Sequence, residues 1–276
     1  MSNVDILLRT LDGEWIVFLS IPSSTAQRLS LCPLKWLRFI AFAVCGARGH
    51  LCVDQEGLLV KYNASSADPL NKKYYYFSDG NNLPSKYNPI DPGAFHDHIT
   101  SRAQTYPHSD FHTQIIARDG GRCVISNLRS AVCDAVHIIP ASRDNMFLTK
   151  VVHARSALYD LDPNFTIHSL QNGILLTKTL HSFFTSAIIG FLQTPNFALD
   201  AEDVPYVGVG PVPQKRLTMQ YLEEPLDAEL NTFPEKDVVH QGHGASPPSP
   251  VLLDYMYGVA VYKHWGMGLK PSWTGM

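Results

Sequence analysis

The sequence predicts an α+β fold for this chain of 276 residues. A β-rich N-terminal region should span 1–100, a small strand–strand–helix core 101–204, and a C-terminal extension packing on that core 205–276, closed by a helical segment. Three observations predict it. Short aromatic and β-branched runs separated by turn residues fill the first hundred positions. Between 109 and 185 the pattern changes from helical spacing to alternation at Gly120-Gly121 and back near Leu175. The last apolar stretch, Val251 to Trp265, has the length of a helix.

Taken in order, GEWIVFLS at 13–20 reads as a strand ending at Pro22. Leu34 to Cys45 is apolar with helical spacing and reads as a buried helix. His50 to Val53 and Leu58 to Tyr62 flank Gln55-Glu56-Gly57, which predicts a hairpin. The YYYF run at 74–77 suits a further strand, and Asp79 to Asp91 is rich in Asn, Gly, Pro and Ser, so it reads as a loop. Ser109 begins a helix with Asp110 in its first turn, where a carboxylate favours the helix dipole. This helix stops at Gly120-Gly121. Arg122 to Ser126 and Ala131 to Ile139 read as two strands, the second ended by Pro140. After a loop, Leu175 to Phe184 reads as a helix. Thr194-Pro195-Asn196 is a turn, and His240 to Pro250 reads as a flexible loop.

Composition bounds the function. Hydrophobic residues make up 45% and charged residues 17%, enough apolar material for a sizeable core. The formal net charge of −3 argues against tight, sequence-blind nucleic-acid binding, which draws mostly on phosphate neutralisation. It does not exclude a local basic patch. Asp5, Arg9, Asp12 and Glu14 interrupt any secretory h-region, and the most apolar stretch, Trp36 to Cys45, is half the length of a membrane span. An intracellular protein of cytoplasm or nucleus, without a membrane partner, is expected. Its five cysteines form no CxxC pair and are expected as free thiols.

The chemistry-bearing residues lie in the middle of the chain. DAVHIIP places His137 near the end of the second strand, QNGILL places Asn172 before the following helix, and LHSFF places His181 inside that helix. The stretch RDGGRCVIS, DAVHIIPAS and NGILLTKTLH resembles the HNH family of nucleases, also called ββα-metal or His-Me finger nucleases. FLQTPNFALDAEDVP and LLDYMYGVAVYKHW resemble the versions of that family found in fungi. The resemblance is strong in the middle and looser at the C-terminal end. It implies a ββα-metal (HNH) core that hydrolyses nucleic-acid phosphodiesters with a divalent cation, Mg²⁺ or Zn²⁺. By that resemblance His137 is the general base for an attacking water, Asn172 orients it through its other ring nitrogen, and His181 is a metal ligand.

Each residue also has a plainer reading. His137 and His181 can be hydrogen-bonded core histidines, and Asn172-Gly173 is a common turn dipeptide. Arg118, Arg122, Arg129 and Arg143 surround the motif and can meet phosphates or simply solubilise its rim. His96-Asp97-His98 lies beside a Pro/Gly-rich loop and reads as solvated surface, and His240 and His243 read as bystanders.

Two positions depart from the family pattern. The residue before the strand histidine, often a ligand, is Val136. The position four after the helical histidine, often a carboxylate or histidine, is Thr185. Asp134 lies an odd number of residues from His137, which on a regular strand places it on the opposite face. Asp144, Asp160 and Asp162 could fold back from the following loop. Asp134 and Asp144 are therefore the candidate further ligands or outer-shell groups, and weak cation binding is expected. Three functions compete: a metal-assisted nuclease, an HNH fold that binds a partner or nucleic acid without cleaving, and a pocket repurposed for acid–base chemistry on a small metabolite.

Overall fold

The computed structural model of the protein describes residues 2–10, 12–63, 65, 69–79, 90–95, 109–155, 165–224, 232–238 and 246–267. The chain divides into two compact units, one of 1–90 with 194–215 and 261–276, the other of 91–193 with 216–260. Each unit draws on separate stretches of the chain. Composition shifts mark loops, and carry no record of where a later segment returns.

The first unit is built on a four-stranded sheet. Its strands are β1 (Asn3–Arg9), β2 (Trp15–Pro22), β3 (Gly49–Cys52) and β4 (Lys73–Ser78), in the order β2-β1-β4-β3. β1 runs antiparallel to β2, with a register shift between Ile6 and Leu7, and parallel to β4. Helix α1 (Ser23–Leu29) precedes α2 (Pro33–Cys45). Pro33 at the first helical position costs no hydrogen bond, and Gly46 closes α2 in the left-handed region at φ 77°. Eleven of the thirteen α2 residues are buried, as its apolar sequence predicts. The expected hairpin is reduced: β3 pairs with β4, and Leu58–Tyr62 keeps only a bridge from Cys52 to Leu59. Lys35 holds the 201–203 turn through Asp200 and Asp203 at 3.0 and 2.8 Å.

The second unit carries the motif. Its elements are α3 (Ser109–Arg118), β5 (Cys133–His137), α4 (Asn145–Arg155), β6 (Gly173–Thr177), α5 (Lys178–Thr185), β7 (Ile189–Thr194) and β8 (Arg216–Tyr221), and most of the last helix, α6 (Pro250–Trp265). β5 and β6 pair antiparallel in unbroken register, Cys133 with Thr177 through His137 with Gly173. β5 and β6 are thus the pair of strands that comes before α5, and His137 ends the first of them, not the second as its sequence context suggests.

Two expectations are corrected here. Arg122–Ser126 is no strand: it is a loop held by an Arg122–Arg129 bridge and turned at Asn127, whose φ is 61°. The helix expected from Leu175 starts at Lys178, where the Thr177 side chain accepts from Leu180 N. GILLT is instead a strand buried at every position. A short apolar run buried on both faces has no period to distinguish strand from helix. No described helix is long and apolar enough to cross a membrane.

Candidate functional site

The site begins with a buried ion pair under β6. Arg118, at the end of α3, donates from Nε and Nη2 to Asp119 Oδ1 and Oδ2, both at 2.8 Å. It also donates to Leu170 O at 2.7 Å and Gly173 O at 2.8 Å, while Asp119 Oδ2 accepts from Leu175 N at 2.9 Å. Arg118 is 4% exposed and Asp119 0%. The pair therefore fixes the start of β6 on α3, and the Arg118 guanidinium has its donors on protein acceptors. A buried guanidinium must spend its donors on protein acceptors.

Gly173, opposite His137 in the register, lets α3 lie close. A Cβ there would sit 2.3 Å from Ile115 Cδ1 and 2.8 Å from Phe111 Cζ. Phe111 in turn stacks flat on the His137 ring, with centroids 3.9 Å apart and planes 10° apart. The other edge of His137 meets His168, Nε2 to Nδ1 at 3.2 Å. Sequence reasoning missed His168. The two histidines stand 31 residues apart, and no spacing rule links them.

Asn172 is fully buried, and its amide serves backbone. Oδ1 accepts from Ile139 N at 2.8 Å, and Nδ2 donates to Ile139 O at 3.0 Å and Ile167 O at 2.8 Å. It thus grips the chain two residues after His137 and one residue before His168. The expected contact with the His137 ring gives way to this clamp, because a single amide has its donors committed to two carbonyls. Asn145 Oδ1 completes it by accepting from Ile167 N at 2.8 Å.

His181, on α5, lies with Nδ1 2.8 Å from Asp134 Oδ2 on β5; both side chains are partly exposed. A carboxylate at Nδ1 holds the proton there and presents Nε2 as the lone-pair nitrogen. Asp134 is thus placed against Nδ1 of the His181 ring, on the side away from Nε2. Val136 is buried at 2% and shares Asp134's face of the strand, one pleat or about 6.6 Å nearer its end. Thr185 turns its hydroxyl back to His181 O and Ser182 O at 3.0 and 3.2 Å. A β-hydroxyl in a helix readily bonds the preceding turn.

The remaining candidates fall outside this arrangement. Asp144 Oδ1 accepts from Phe147 N at 2.8 Å, so it caps the start of α4. Arg122 donates to Asn127 O at 2.9 Å within its own loop. Arg143 pairs with Asp91 at 2.9 Å and lies over the Phe147 ring. Each of these two guanidiniums is engaged, so a phosphate would have to compete for it. His96, Asp97, His98, Asp160, Asp162, His240 and His243 lie outside the described residues. Among the described residues no group of three or more His, Cys, Asp or Glu converges on one point. All five cysteines are free thiols. Burial, with a smaller effect from Cys123, pushes the Cys133 thiol up to about 11, which removes it as a thiolate ligand at neutral pH.

The HNH endonuclease family model matches residues 123–192. That span begins at the loop after α3, contains β5, β6 and α5, and includes His137, His168, Asn172 and His181. No curated protein and no solved structure matches the chain.

Proposed function

We propose that the chain hydrolyses phosphodiester bonds of nucleic acid with the help of a divalent cation. The observation that carries this reading is the Asp134–His181 pair at 2.8 Å, joining the first strand and the helix of the ββα unit within the HNH match. A carboxylate behind an imidazole is the usual support of a metal-ligating histidine. The donor set fits an open site: Nε2 of His181 would hold the cation, with water and substrate phosphate oxygens completing it. A lone imidazole suits Zn²⁺ better than Mg²⁺, which prefers carboxylate oxygens. The bound cation would supply charge stabilisation at the scissile phosphate.

The chain's own residues divide the remaining work. His137 removes the proton of the attacking water as general base. Phe111, stacked on its face, holds the ring plane. Asn172 fixes the backbone beyond His137 and before His168, so the imidazole approaches substrate from one direction.

A second reading, an HNH fold that binds without cleaving, is favoured by the closed Thr185 hydroxyl and by the apolar Val136. Supercoiled-plasmid nicking in millimolar Mg²⁺, Mn²⁺ or Zn²⁺, with His137→Ala alongside, separates the two. Nicking that needs the cation and is lost in His137→Ala supports hydrolysis. Retarded plasmid with no nicking under any of the three cations supports binding alone.

A further inference from the structure

The second ring nitrogen of His137 is held by a histidine where the family resemblance implies an asparagine. Three observations bear on why. His137 Nε2 and His168 Nδ1 are 3.2 Å apart, a hydrogen-bond distance between two nitrogens, of which one must carry the proton. The two rings cross at 74°, so His168 meets the edge of His137 while Phe111 covers its face. The loop that presents His168 is tied down on every side. Ile167 O and N are taken by Asn172 and Asn145, and Ser169 Oγ accepts from Thr166 N at 2.8 Å. A loop fixed one residue to either side of a half-buried histidine is built to place that ring.

We infer that His168 is a positioning residue that sets the tautomer of His137. Nε2–H of His137 donates to Nδ1 of His168, so the lone pair of His137 lies on Nδ1. His168 then carries its own proton on Nε2. When His137 takes a proton from water at Nδ1, the imidazolium keeps its Nε2–H bond to His168, and no second proton moves. The opposite tautomer, with His168 Nδ1–H donating, would put the His137 proton on Nδ1 and leave the outward lone pair on His168 Nε2, so that His137 could not be the base. His168 thus does for His137 what Asp134 does for His181: in each pair one partner holds one ring nitrogen and selects the other for chemistry. A pair without formal charge avoids placing a carboxylate beside the incoming phosphate.

This inference rests on His137 being the base, and its test does not require activity. The probe is the long-range ¹H–¹⁵N spectrum of the full chain labelled at histidine, at a pH where the rings are neutral, with His137 and His168 assigned by loss of signal in single variants. Wild type should show His137 with a protonated Nε2 and an unprotonated Nδ1. His168→Ala should lose that preference and mix the two tautomers. His168→Asn, which keeps an acceptor oxygen near the place of Nδ1, should largely restore it. A His137 protonated at Nδ1 in wild type overturns the inference, as does a tautomer unchanged in His168→Ala. If His168→Ala fails to fold, wild type and His168→Asn still decide. In nicking, His168→Ala should lower the rate about 10- to 100-fold, as loss of a ring-orienting partner does, with His168→Asn closer to wild type. Wild type that never nicks but shows the predicted tautomers removes the hydrolytic reading and leaves the pairing intact.

Discussion

Replacing Asn172 with Ala should destabilise the second unit far more than the loss of a turn residue. The side chain is fully buried and makes three hydrogen bonds, one from Ile139 N, one to Ile139 O and one to Ile167 O. Each is worth about 1 kcal/mol net, and a buried donor left without partner costs about 1–3 kcal/mol more. Ile139 is itself 0% exposed, so its N–H cannot turn to water. The expected loss is about 3–5 kcal/mol, against about 1 kcal/mol for a simple cap. For a unit of this size that corresponds to a fall of about 10 °C in its thermal transition. Calorimetry measures the fall, and amide exchange at Ile139 localises it: the amide should lose most of its protection in Asn172→Ala. A change below about 1 kcal/mol, with Ile139 still protected, would refute the clamp.

Other expectations follow from the same geometry. Asn172→Asp keeps the acceptor but turns a carboxylate toward two carbonyl oxygens, which raises its folded pKa. Its stability should therefore be greatest below the ordinary carboxyl pKa and fall as pH rises from about 4 to 7; a pH-independent midpoint in urea would contradict this. Asp119→Ala should cost about 3–5 kcal/mol by stranding the buried Arg118 guanidinium, read from urea unfolding, and a loss under about 1 kcal/mol would remove the pair as the anchor of β6. Thr185→Asp adds a carboxylate one turn from His181 and should tighten Mn²⁺ binding in calorimetric titration. Because Thr185 is 6% exposed, the cation-free variant should lose about 1–3 kcal/mol of stability, recovered when Mn²⁺ binds. Tight wild-type binding that the substitution leaves unchanged would show the site already complete. Cys133, with its thiol near 11, should react with iodoacetamide at pH 8 about 100-fold more slowly than an ordinary cysteine; mass spectrometry of the intact and urea-unfolded chain tests this.

The parts of the fold legible in the sequence are those with a period or a stop signal. α2 announces itself through helical apolar spacing after Pro33, α3 through Asp110 and the Gly120-Gly121 stop, and α6 through its apolar length. β6 was hidden because every side chain of GILLT is buried, which erases the alternation that marks a half-exposed strand. α4 was hidden because its apolar stripe is thin, with Leu148 and Val151 buried beside Arg155. In the site, His181 lies in the helix its local context assigns; His137 ends the first strand of its pair and not the second, and Asn172 precedes β6 and not the helix. The partners of the two histidines were not legible: His168 lies 31 residues from His137 and Asp134 lies 47 from His181. Arg118 shows the limit of reading charge as surface. Nothing in RDGG signals that the arginine and its neighbour close on each other beneath a strand.

If the His137 imidazole is the base of a cation-dependent phosphodiester hydrolysis, its removal must slow one rate. Single-turnover cleavage of a labelled DNA duplex should be measured at saturating Mn²⁺ for wild type and His137→Ala. Wild type should cleave only with the cation, and the variant should be slower by about 10²- to 10⁴-fold, the usual worth of a positioned general base. No cleavage by wild type, or a rate in His137→Ala within a few-fold of it, would rule out His137 as the base.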